Sequence, residues 1–188
     1  MKILFSLLIL ASASLVHAKV SRPIKLGLGV AMESYSIDTK ESNSTNEAKA
    51  SFFSSQVVPS LGFFVSDKIL LGAQYSQSLM GEFSVSGVGA FARYYFYGES
   101  SKRLDLEDLE INFSSNYSLF AGTTYKSLSI GSGDVDIRFS VIEANVGIEK
   151  FFSHEYFAFG SLNISRLSSS ENRTGMSMGL VGGIGYHY

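Results

Sequence analysis

The sequence predicts an all-β protein, an eight-stranded antiparallel up-and-down transmembrane β-barrel. Three observations predict it. Residues Gly175 to Tyr188 alternate with a period of two: Met178, Leu180, Gly182, Ile184, Tyr186 and Tyr188 form a largely apolar set, while Ser177, Gly179, Val181, Gly183, Gly185 and His187 are mostly small or polar. That is a strand with a greasy face and a packed or wet one, and it ends on an aromatic. Similar stretches recur along the chain, separated by polar breaks. Beyond the first residues no apolar run is long enough for a transmembrane helix, so any crossing must use strands, and only closed barrels satisfy their backbone in lipid.

The chain has 188 residues, one domain's worth. It opens Met1-Lys2, is apolar from Ile3 to Leu10, then turns small and reaches Val16-His17-Ala18. This pattern predicts a secretory signal peptide over 1–18 and a barrel domain over 19–188. An N-terminal anchor is the other reading; the run is too short for one and no lipidation cysteine follows. Removing Lys2 leaves 14 Lys+Arg against 17 Asp+Glu, a formal charge of −3. There is no basic stripe, so nucleic acid is not expected as a partner. With 0 cysteines an exported fold must hold without disulfides.

The first predicted strand is Ile24 to Tyr35, with Leu26, Leu28, Val30 and Met32 toward lipid and Lys25 and Glu33 inside. Ser36 to Ser51 is aperiodic and polar, so a long loop is expected. The second strand, Phe52 to Val65, shows Phe53, Val57, Leu61 and Phe63 outward, with Pro59 marking a bulge or weak pairing point. Ser66-Asp67-Lys68 is a tight turn into the third strand, Ile69 to Leu79. After a short loop, Val85 to Tyr97 puts Val88, Ala90, Tyr94 and Phe96 outward and Arg93 inward. Gly98 to Glu110 is a charged break. The fifth strand is Ile111 to Leu128, with Tyr117 to Tyr125 outward at odd positions, and Ser129 to Asp136 is a second loop. The sixth strand, Ile137 to Phe152, points Ile142, Ala144, Val146 and Ile148 outward and Glu143 and Glu149 inward. Ser153-His154-Glu155 turns into the seventh, Tyr156 to Leu167, and the closing strand follows the polar loop Ser168 to Thr174.

Short turns and longer loops alternate, as expected of a barrel with its turns in the periplasm and its loops outside. On that topology two aromatic belts emerge. Phe63, Tyr94, Phe96, Tyr117, Phe151, Tyr156, Tyr186 and Tyr188 lie near the periplasmic margin. Tyr35, Phe53, Tyr75, Phe83, Tyr125 and Phe139 lie near the outer one.

Lys25, Glu33, Arg93, Glu143 and Glu149 share the small-residue face. One Arg or Lys on lipid at mid-depth costs about 2–4 kcal/mol, so they belong in the lumen as a charge network. The preferred pairing sets Arg93 against Glu143 or Glu149, with Lys25 taking the other or a neighbour. The plain role is to plug and order the lumen. The sharper role is a gated ion path opened by breaking Arg93 from its partner.

The run Pro59-Ser-Leu-Gly-Phe-Phe-Val-Ser-Asp-Lys-Ile-Leu-Leu-Gly resembles the second hairpin of small OmpA/OmpX-like outer-membrane barrels. Gly89-Ala-Phe-Ala-Arg-Tyr-Tyr-Phe resembles the strand that follows it in that family. The aromatic end, Tyr186 and Tyr188, resembles the signal read by the barrel assembly machinery, though Tyr188 stands where Phe is usual. The resemblance implies a bacterial outer-membrane location. It also implies lipid as partner and contact with the assembly machinery and periplasmic chaperones during biogenesis. No peptidoglycan-binding domain is expected after the barrel.

Enzymatic chemistry finds little support. Small lipid A deacylase barrels resemble one another in a His-x-Ser pair near a Glu; His154 and His187 offer no such pair. His154 reads as a solvated turn residue and His187 as a packed lumen imidazole. Gly131-Ser-Gly-Asp-Val-Asp lacks the length and the bidentate Glu of a calcium loop, and there is no metal cluster. Gly27-x-Gly29 and Gly182-Gly183-x-Gly185 open no helix, so they make room inside a strand rather than cradle phosphate. No cofactor is expected. The segment Gly98 to Glu110 carries Leu104, Leu106 and Leu109 among its charges and reads as a solvated insertion or a partner-touching turn. The expected function is that of a monomeric, structural and surface-facing outer-membrane barrel, with loops Ser36–Ser51 and Ser129–Asp136 available to ligands. A narrow channel for small solutes is the alternative.

Overall fold

The computed structural model describes residues 24–40, 47–80, 83–97, 117–132, 135–153, 155–170 and 173–188. The expected signal peptide, the Gly98–Glu110 segment, the first part of the fifth strand and His154 lie outside them. Eight strands form among the described residues: β1 (Ile24–Lys40), β2 (Glu47–Ser66), β3 (Ile69–Met80), β4 (Ser84–Tyr97), β5 (Tyr117–Ser132), β6 (Val135–Phe151), β7 (Tyr156–Ser168) and β8 (Arg173–His187). Each pairs antiparallel with the next, and β8 pairs with β1 to close the barrel. Closure leaves no strand edge unpaired. The end holding Ile24 and Tyr188 is the base; the end holding the β1–β2 and β5–β6 hairpin tips is the rim.

Side-chain parity orders the wall as the sequence predicts. Leu28, Met32, Val88, Ile142, Val146, Leu162, Leu180 and Ile184 are exposed on the exterior, while Lys25, Glu33, Glu143 and Glu149 are buried within. A water-soluble barrel would reverse this, its large apolar side chains turned inward.

Glycines make the narrow interior possible. Gly72 pairs directly with Phe91, Gly147 with Phe120, Gly185 with Phe157 and Gly183 with Phe159. A Cβ on Gly185 would stand 2.0 Å from the Phe157 ring, and one on Gly72 2.4 Å from Phe91. At Gly72, Gly147 and Gly185 the missing side chain is the space in which the partner's ring lies, which also shields the glycine backbone, whereas at Gly183 it is the space in which the β1 backbone at Leu28 and Gly29 lies.

Several sequence expectations are corrected. The 36–51 loop is mostly strand: β1 and β2 stay paired out to Lys40↔Glu47. The 129–136 loop likewise becomes hairpin, out to Ser132↔Val135. Backbone ladders continue there although polar residues dominate; a single buried apolar residue in each, Ile37 and Ile130, is too little alternation to announce a strand. The register shifts in the β2–β3 pairing fall between Ser55 and Gln56 and between Phe64 and Ser66, so Pro59 marks the weak pairing point and not a bulge. Pro59 pairs with Leu28 of β1, but the ladder to β3 lapses between Val57↔Gln77 and Ser60↔Gln74, as a residue without an N–H allows. Tyr35 and Phe139 are buried in the lumen and do not join the outer aromatic belt. Their parity is that of the inward residues Glu33 and Val141. Phe83 and Phe151, also expected in the belts, share the inward parity of Val85 and Glu149: Phe83 packs on the buried residues under the rim, and the Phe151 ring lies 5.7 Å from that of buried Phe157.

Candidate functional site: a closed lumen with two charge clusters

The lumen is stacked in layers. Under the rim, Tyr35, Val85, Leu128, Phe139, Val141 and Leu167 pack into an apolar layer. Phe52 stacks on Tyr35 at 5.0 Å, and Phe83 on Phe52 at 4.6 Å. Toward the base, Phe64, Leu70, Phe91, Tyr95 and Phe120 form a second apolar layer.

The first charge cluster lies just below the rim layer. Lys126 Nζ of β5 donates to Glu143 Oε2 at 2.9 Å and stands 3.6 Å from Glu33 Oε1. Asn163 Nδ2 donates to the other oxygen of Glu143 at 3.1 Å. Tyr35 donates its hydroxyl hydrogen to Glu33 and accepts from Gln56 Nε2 at 2.8 Å. One ammonium thus serves two carboxylates, and each carboxylate has a further neutral donor.

The second cluster lies in the base layer. Lys25 pairs with Glu149, and its Nζ donates to Tyr95 Oη at 3.1 Å. Tyr95 in turn donates to Glu149 Oε1 at 2.9 Å, and Arg93 Nη1 stands 3.9 Å from the same oxygen. Aromatic rings enclose both cations. Lys25 Nζ is 4.3 Å from the Phe157 ring centre and 4.9 Å from that of Tyr95, and the Arg93 guanidinium is 4.8 Å from both Phe91 and Phe120. Ring faces attract cations, so these contacts offset part of the cost of burying charge.

Between the clusters is a small polar cavity lined by Gln74, Ser76, Arg93, Asn145 and Ser161, among others. Its free space is about 20 Å³, room for a water. Arg93 Nε, Ser76 Oγ and Asn145 Oδ1 have no protein partner and line this space.

All five charges expected in the lumen are there, and the expected pairing is met in part, with Arg93 at Glu149, one of its two expected partners, but Lys25 not at the other. Arg93 approaches Glu149 and not Glu143, and Lys25 shares that carboxylate with it. Glu33 and Glu143 meet Lys126, which the sequence reading left out. The signal for it was present: Tyr125 and Thr123 point outward, so Lys126 must point in. Tyr186 packs edge-on against Tyr156 at 5.3 Å on the exterior near the base, while Tyr188 exchanges backbone hydrogen bonds with Ile24. His187 is buried, its ring 5.4 Å from Phe64. Among the described residues no group of three His, Cys, Asp or Glu side chains could hold a metal ion.

Known structures share this architecture. Neisserial surface protein A aligns with a TM-score of 0.53 at 14% identity, over 86% of this chain and 97% of that one. The N-terminal β-barrel domain of Pseudomonas aeruginosa OprF aligns with a TM-score of 0.50 at 13% identity, over 85% and 97%. This chain has the fold of the small eight-stranded outer-membrane β-barrels. No family model and no curated protein matches the sequence. An outer-membrane barrel of eight strands encloses just enough width for side chains to fill, and here they do.

Proposed function

We propose that this protein is an integral outer-membrane β-barrel with a structural and surface-facing role, its lumen closed. The observation that carries the reading is the inside-out wall: a belt of exposed Leu, Ile, Val and Met encircles the strands, while the strand charges in the lumen are buried and paired. Such a belt is stable only against hydrocarbon. Exposed Phe63, Tyr94, Phe96, Tyr117, Tyr156 and Tyr188 ring its base, and Phe53, Tyr75 and Tyr125 its rim side. The barrel acts as a monomer. Lipid is its permanent partner, and the assembly machinery and chaperones engage it during biogenesis. Paired hairpin arms stand toward the rim at Ser36–Lys40, Glu47–Ser51, Ser127–Ser132 and Val135–Arg138, and they are the surface for adhesion or ligand contact. The channel reading has less support, since packed apolar layers close the lumen on both sides of the small polar cavity.

The test is fractionation followed by detergent-gel migration with and without boiling. The protein is expected in the outer-membrane fraction, with an unboiled form that migrates differently from the boiled one. Recovery as a detergent-free soluble monomer overturns the reading.

A further inference from the structure

We propose that the exterior of β6 and β7 carries a phosphate-binding site for a phosphorylated glycolipid of the outer leaflet, built from Arg138 and Arg166. The proposal rests on the orientation given above, with the rim outside the cell.

The register places Arg166 closely. Along one row across the wall, Tyr125 of β5 pairs with Ile142 of β6, Ile142 with Arg166 of β7, and Arg166 with Met176 of β8. Tyr125, Ile142 and Met176 are all exposed, and so is Ile164 one step toward the base. One step toward the rim the same strands carry Ser127, Ser140, Ser168 and Thr174. Arg166 therefore stands in the last apolar row, where hydrocarbon gives way to headgroups. Arg138 follows on the same exterior face of β6, two outward positions rimward of Ile142. Four residues of strand separate Arg138 from the Arg166 row, roughly 13 Å.

Both guanidiniums are exposed, and neither has a carboxylate partner among the described residues. The nearest acid on that face, Asp136, accepts Ser129 Oγ of β5 at 2.9 and 3.0 Å, on the side away from β7. Other exterior cations among the described residues are placed differently, Lys68 in the β2–β3 turn at the base. Lys49 lies 3.9 Å from Asp38 high on the β1–β2 hairpin, and Lys150 lies near the base over Tyr117 at 5.4 Å. Among the described residues only β6 and β7 set two exposed arginines on neighbouring strands at the outer margin. A guanidinium fork matches phosphate in a bidentate geometry, and a site at the edge of hydrocarbon is partly shielded from water and salt. The spacing suits a headgroup with two phosphates, one for each arginine, its acyl chains lying on Ile142, Ile164 and Met176.

The experiment uses the full chain, refolded in neutral detergent, and titrates diphosphoryl lipid A, its dephosphorylated form and phosphatidylglycerol. Wild type is expected to prefer the diphosphoryl form. R138Q/R166Q is expected to bind it about a hundredfold more weakly, about tenfold for each charged hydrogen-bonding group lost. K150Q, at the base, is expected to bind like wild type. Boiled and unboiled gel migration confirms that each variant is folded. Equal binding of the dephosphorylated form, equal binding of phosphatidylglycerol, or unchanged binding by folded R138Q/R166Q overturns the proposal. Arginine-dependent binding by a protein that fractionates away from the outer membrane would sink the localisation and leave the site standing.

Discussion

At Glu149 three groups converge that are otherwise costly to bury: the ammonium of Lys25, the guanidinium of Arg93 and the hydroxyl of Tyr95. Losing the carboxylate strands two buried cations. Losing the ammonium leaves the carboxylate with Tyr95 and Arg93 still beside it. The two variants therefore differ in cost. Glu149→Gln is expected to destabilise the folded barrel by about 3–5 kcal/mol, the range for breaking a buried pair from one side. Lys25→Met keeps the volume and packs against the same rings, and about 1–2 kcal/mol is expected from the hydrogen bonds lost, since Glu149 keeps Tyr95 and Arg93. Urea unfolding of the protein in lipid vesicles measures both. Equal losses would mean that Glu149 is not the hub of this cluster.

At the scale of the strand, one register decides which glycines matter. Gly182 and Gly183 are neighbours on β8 and face opposite ways. A Cβ on Gly183 would lie 2.2 Å from the carbonyl oxygen of Leu28 and 2.6 Å from the Cα of Gly29, at the seam where β8 meets β1. On Gly182 the nearest atom is the Phe159 carbonyl oxygen at 3.8 Å. Gly183→Ala is expected to cost about 1–3 kcal/mol or more by overpacking, and Gly182→Ala to be silent. The fraction of folded, unboiled band on a gel compares them; two equally folded variants would place the seam elsewhere. The same parity made the strands legible in the sequence. Along β6, Ile142, Val146 and Ile148 alternate with Glu143, Asn145 and Glu149, which marks the strand, and the structure turns the apolar set outward. Strand ends were illegible for a physical reason. Toward the rim Ser36 and Asp38 oppose Ser51 and Lys49 on the outer face, and with water there the ladder needs no outward apolar row; the inner face of β1 keeps only Ile37 beyond Tyr35, too little alternation to mark a strand end. Lys126 was legible in principle, through the outward Tyr125 beside it. Its partners were not, because which carboxylate meets which cation depends on stagger between strands that are distant in sequence.

At the scale of the molecule, the wall answers to lipid and the lumen to itself. Mid-belt Leu180 faces outward between Leu162 of β7 and Met32 of β1. Leu180→Arg is expected to cost about 2–4 kcal/mol in vesicles, whereas Ser36→Arg, above the belt, is expected to cost about 0–1 kcal/mol. The same unfolding measurement ranks them, and a soluble-type wall would tolerate both.

The lumen carries the last consequence. A gate made of one ion pair opens when that pair is broken, but this lumen is closed twice over by apolar packing. The rim layer around Tyr35, Leu128 and Phe139 holds no part of Arg93's contacts, and the base layer keeps Phe64, Leu70 and Tyr95 when Arg93 is removed. Lys25 also keeps its own bond to Glu149. Arg93→Ala is therefore expected to leave planar-bilayer conductance at the wild-type level, near baseline. Opening needs a breach in both layers at once, so Phe139→Ala joined to Phe120→Ala is expected to conduct where neither change alone does. A conducting Arg93→Ala barrel would mean that charge, not packing, shuts the lumen, and the narrow-channel reading would then replace the closed one.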